Sequence, residues 1–99
     1  MNIQALMKQA QSLQKDMMNA KNELNSMEFT GKSEFVNITL KGDKTVSSIK
    51  IKKLDSINED DIEMLEDMIL IAFNAAMKKV DDACEEKLGK YGNAIPSFF

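Results

Sequence analysis

A chain of 99 residues with 43% hydrophobic and 29% charged content has enough apolar surface for one core, too much to be disordered, and too little length for two domains. Its net charge of −3 and isoelectric point near 4.9 argue against bulk positive charge as a means of binding nucleic acid. Histidine is absent and cysteine occurs once, as Cys84. An internal disulfide is therefore excluded, the usual zinc ligand sets are missing, and a serine or cysteine nucleophile lacks its usual base. We expect no metal, no cofactor and no enzymatic activity.

The longest apolar run, residues 68–73, falls far short of the roughly 20 residues that cross a bilayer, and the first residues lack the apolar block of a signal peptide. No membrane association is expected, and the cytoplasm is the expected compartment. Residues 1–90 read as a single domain and residues 91–99, with a Gly, a Pro and no period, as a flexible tail.

In chain order, residues 3–27 carry apolar side chains at every third then fourth position. With Ile3 as heptad position a, the a positions are Ile3, Ala10, Met17 and Leu24, and the d positions are Leu6, Leu13, Ala20 and Met27. A helix over about residues 2–27 is predicted. Residues 28–33 suggest a short strand before Gly31 turns the chain. Val36, Ile38 and Leu40 alternate toward one side, residues 41–44 supply a turn, and Ile49 and Ile51 return as a hairpin partner. A second helix starts near Ser56 or Asn58, where Glu59, Asp60 and Asp61 oppose the positive end of its dipole, and ends at Gly89. Its apolar positions form two stripes, one through Ile62, Leu65, Ile69, Ala72, Ala76 and Val80, the other through Phe73, Met77, Val80, Cys84 and Leu88. Cys84 reads as a small apolar filler, and the acidic run from Glu59 to Asp67 lacks the glycine turn of a calcium loop.

Helices of about 39 and 45 Å overhang strands of about 23 Å, so the two helices are expected to pair antiparallel into a projecting arm. The open sheet edges and the extra apolar side of the second helix call for a symmetric second subunit. The expected architecture is α+β, with two long helices packed with a short antiparallel sheet.

Residues 6–17 (LMKQAQSLQKDM), 48–51 (SIKI) and 59–80 (EDDIEMLEDMILIAFNAAMKKV) resemble the YbaB/EbfC family of bacterial nucleoid-associated proteins, in order and over nearly the whole chain. The resemblance implies an α-β-β-β-α fold, a tweezer-like homodimer, binding to double-stranded DNA without enzymatic activity, and a place at the nucleoid. It also implies DNA contact through the helical arms, which points to Lys8, Lys15, Lys21, Lys78, Lys79, Lys87 and Lys90.

Charge placement points elsewhere. Residues 30–54 hold Lys32, Lys41, Lys44, Lys50, Lys52 and Lys53 against Glu34 and Asp43, a surplus of +4, whereas residues 56–99 hold four lysines against ten acids, or −6. This count favours Lys41, Lys44, Lys50, Lys52 and Lys53; the alternative is that each lysine only solvates its own face. Arginine is absent, so weak, sequence-tolerant phosphate binding is expected rather than base readout. Neutralising about four to six phosphates would give log affinity a slope of about −4 to −5 against log salt. A second hypothesis makes the chain a protein-interaction module for replication or recombination proteins, supported by its net negative charge and by Met7, Met18 and Met64 lying off the seam.

Overall fold

A computed structural model describes residues 2–52 and 54–91. In chain order it contains α1 (Ile3–Ser26), β1 (Glu28–Lys32), β2 (Val36–Lys41), β3 (Val46–Ile51) and α2 (Glu59–Leu88), followed by a 3-10 turn over Gly89–Tyr91. The α+β class and the α-β-β-β-α order are those predicted. Asn2 caps α1 by accepting from the Gln4 amide at 3.0 Å. Asn58, not Ser56, caps α2: its side chain accepts from the amides of Asp60 and Asp61, and the Asp61 carboxylate accepts from the Asn58 N–H in return.

The sheet is antiparallel in the order β1-β2-β3. Its inner side carries Val36, Ile38 and Leu40, all buried beneath α2, where Ala72, Ala76 and Val80 complete the core. Gly31 does not turn the chain; it sits within β1 opposite Ile38. A Cβ there would collide with the Ala72 carbonyl oxygen and the Ala76 amide, so glycine on the strand and alanines on the helix allow the two backbones to touch. The turn comes instead at residues 33–35, where the Ser33 N–H donates to the Val36 carbonyl and its hydroxyl donates to the Met68 carbonyl of α2.

In the second turn Lys44 adopts a φ of 72°, and Asp43 accepts from the Thr45 amide. Hydrogen bonds from Thr45, its side chain foremost, hold the Asp43 carboxyl below the usual carboxylate range. Beyond this turn the pairing shifts: Leu40 faces Val46 while Thr39 faces Ser48, so Ser47 is an extra residue. The bulge returns Val46 to the inner side, where it joins Ile49 and Ile51.

A second core cluster unites Met17 and Leu24 of α1 with Leu88 and Tyr91, with Ala20, Ala83 and Cys84 packed around it. Because β1 and β2 occupy the first two thirds of α2, only its C-terminal turns remain for α1. Antiparallel pairing of the helices is consequently short, and α1 runs past the end of its partner, giving a particle 72 × 19 × 15 Å. The seam is sealed at Met17 and Leu24 but open at Leu13, Leu6 and Ile3, which are 47%, 45% and 71% exposed. Of the expected flexible tail, residues 91–99, only Tyr91 is among the described residues, and it is buried in the second core cluster; residues 92–99 lie outside them.

Candidate nucleic-acid interface

Strand alternation decides what the outer side of the sheet carries. With Phe29, Gly31, Val36, Ile38 and Leu40 turned inward, Thr30 and Lys32 of β1, Asn37, Thr39 and Lys41 of β2, and Ser48 and Lys50 of β3 turn outward. Register then aligns them into cross-strand rows. Lys32, Asn37 and Lys50 form one row; Thr30, Thr39 and Ser48 form the next. The Thr30 and Thr39 hydroxyls are 2.8 Å apart and hydrogen-bonded, as expected of a close, non-hydrogen-bonded backbone pair. Lys52 follows Lys50 by two residues, and Lys41 stands at the far end of β2 opposite Glu28.

The lysines named from sequence separate into two electrostatic settings. Lys44 pairs with Asp81, Lys78 with Asp82 and Lys87 with Glu23, at 3.6, 3.1 and 3.1 Å. Lys79 donates to the Thr30 carbonyl at 2.7 Å, and the Lys90 ammonium lies 5.1 Å from the Tyr91 ring centre. The pairs of Lys44 and Lys78 are solvent-exposed and individually weak, and Lys87 is only partly exposed, but Asp81, Asp82, Glu85 and Glu86 on the same turns of α2 offset the field of its lysines. Lys32, Lys41, Lys50 and Lys52, by contrast, are exposed and form no ion pair among the described residues, although Lys41 lies near Asp43; Lys8 and Lys15 on the free half of α1 likewise form none among the described residues. Lys21 is half-buried farther along α1, and Lys53 lies outside the described residues.

Lys32 counts toward the basic segment but is not singled out by charge alone. The signal that places it is the two-residue alternation carried back through β1, which the premature turn expected at Gly31 obscured.

The two sheet edges also differ. Lys79 reaches the outward-facing Thr30 carbonyl on the edge of β1, occupying a group that another strand would need. The edge of β3 has no such cover among the described residues, and Val46, Ile49 and Ile51 beside it are about half exposed. On the side of α2 away from the sheet, Leu70 and Ile71 are 59% and 56% exposed. Among the described residues no three of the acids and Cys84 come together as a metal-holding group, and no helix is long and apolar enough to cross a membrane.

Comparison with known proteins places this arrangement. The model of the YbaB/EbfC DNA-binding family matches residues 1–95. A nucleoid-associated protein of Ligilactobacillus salivarius is 42% identical over 98 residues, covering 97% of this chain and 93% of its own. One from Streptococcus suis is 44% identical over 98 residues, with 97% and 98% covered, and one from Enterococcus faecalis is 38% identical over 99 residues, with 98% and 94% covered. A crystal structure of an uncharacterized protein from Helicobacter pylori superposes with a TM-score of 0.68 at 20% identity, covering 83% of this chain and 87% of that one, a likeness of fold.

Proposed function

Because the chain belongs to the YbaB/EbfC DNA-binding family, we propose that it binds double-stranded DNA as a homodimer, mostly through phosphate contacts, at the nucleoid in the cytoplasm. On this reading it influences nucleoid organisation, gene expression or DNA repair by binding, with no chemical step of its own. The observation that carries the reading is the segregation of charge: an acidic chain leaves Lys32, Lys50 and Lys52 of the sheet and Lys8 and Lys15 on the free half of α1 exposed and outside the ion pairs found among the described residues. Lysine without arginine suits phosphate, a point charge meeting a point charge, and gives little discrimination among bases.

The homodimer is supported by what one chain leaves wet. Ile3, Leu6 and Leu13 on α1, Leu70 and Ile71 on α2, and Val46, Ile49 and Ile51 on the inner side of β3 are large apolar side chains left about half exposed or more. A second copy would cover such surfaces on both chains at once. In a dimer the basic surfaces double, which compensates for modest affinity at each.

The test is anisotropy of a labelled mixed-sequence duplex at about 50, 100 and 200 mM salt, with a slope of about −4 to −5 in log affinity against log salt expected. The acidic α2 and the exposed Met7 and Met18 favour a second reading, a module that holds replication or recombination proteins. Absence of DNA binding at the lowest salt, with one partner co-purifying in fixed ratio, would select it.

A further inference from the structure

We infer that the outer face of the sheet is a phosphate-binding surface in its own right, centred on Lys32, Lys50 and Lys52, which takes the sugar-phosphate backbone of a duplex independently of the helical arms. The inference rests on the DNA-binding reading and adds to it a place of contact.

Strands lie about 4.8 Å apart, so Lys32 and Lys50, separated by Asn37 on the central strand, stand about 10 Å apart at their Cα atoms. Lys50 of β3 and Lys52 just past its end are about 7 Å apart at their Cα atoms, so their side chains can reach phosphates along one strand of a duplex. Lys32 and Lys50 flank the row, so their flexible side chains reach toward a backbone from both sides.

Behind this row the Thr30, Thr39 and Ser48 hydroxyls lie in register on the same face. Whichever of Thr30 and Thr39 accepts in their mutual hydrogen bond keeps its own proton for a phosphate oxygen. Among the described residues the face sets Lys32, Lys41, Lys50 and Lys52 against Glu28, which stands opposite Lys41 at the far end, with Glu34 and Asp43 in the two adjoining turns, Asp43 near Lys41. The C-terminal turns of α2 show the opposite balance, since four acids there accompany Lys78, Lys79 and Lys87.

The outer face is also the one sheet surface a second copy has least reason to cover. Burying these lysines without acids opposite would be costly, whereas the apolar inner side of β3 is open. The surface that binds phosphate and the surfaces that bind a second chain are therefore separate.

The experiment compares the wild-type protein, the triple variant Lys32→Gln, Lys50→Gln and Lys52→Gln, the arm variant Lys8→Gln with Lys15→Gln, and the single variant Lys50→Gln. Each is titrated against a labelled duplex at about 50, 100 and 200 mM salt, with a melting curve and a sedimentation run to confirm fold and assembly. With one face of the dimer engaged, the triple change should reduce the magnitude of the salt slope by about 2 to 3 and the affinity at the lowest salt about tenfold or more. Lys50→Gln should reduce the slope by about 1, and arginine at the same three positions should restore it. A triple or single variant that folds and keeps the wild-type slope overturns the inference while leaving DNA binding intact. A wild-type protein that does not bind at the lowest salt overturns the DNA-binding reading and this surface with it.

Discussion

The two halves of α1 share one heptad pattern and have different surroundings. From Met17 to Leu24 the seam is buried against Leu88 and Tyr91, while from Ile3 to Leu13 the same kind of residue faces solvent. The difference lies in what stands opposite: α2 has turns left for Met17 to Leu24 and none for Ile3 to Leu13. An apolar stripe specifies a face that needs covering, but it does not specify the cover.

Substitutions along the helix test that contrast. Leu24→Asp places an unpaired charge where the side chain has no solvent access and should cost about 3 to 5 kcal/mol, removing cooperative melting. Gly31→Val, in the other core, drives a side chain into the α2 backbone; a loss of about 3 kcal/mol or more is expected in denaturant titration. Leu13→Asp should differ in kind. Within one chain it should cost less than about 1 kcal/mol, because Leu13 is half exposed, but sedimentation at micromolar concentration should shift from about twice 11.1 kDa toward 11.1 kDa. If Leu13→Asp lowers the melting temperature as much as Leu24→Asp at dilutions where the protein is monomeric, the contrast between the halves fails.

Smaller effects sharpen the picture at the helix ends. Asn58→Ala removes the acceptor for two amides at the start of α2 and should cost about 1 kcal/mol in thermal or denaturant unfolding. Lys87→Ala breaks the pair with Glu23 that joins the two helices near Leu24; at this partly exposed site the expected loss is about 0.5 kcal/mol, reduced further by added salt.

Much of the fold is legible in the chain because its signals are local. The alternation of Val36, Ile38 and Leu40, the acids after Asn58, and the apolar stripes of both helices each reflect a period of two or of 3.6 residues. Gly31 shows the limit of such local signals. Glycine near a strand end signals a turn, and only the packing of Ala72 and Ala76 against it reveals a close approach. The alternation of Ile49 and Ile51 does not extend to Val46 because the bulge at Ser47 breaks it. The candidate interface was visible as a surplus of lysines in one segment, but Lys44, Lys50 and Lys52 look alike in composition. Their separation, one beside Asp81 and two on an open face, depends on a helix more than 25 residues away in the chain.

By itself, then, the sequence determined the elements, their order, the acidic balance of α2 and the basic balance of the sheet segment, since each is set by neighbours along the chain. Tertiary structure alone decided which part of the α1 seam is sealed, which edge of the sheet is covered and which lysines stand apart from acids. Those outcomes depend on how far one helix extends past another and on which strand it crosses, and such relations arise only when distant segments pack together.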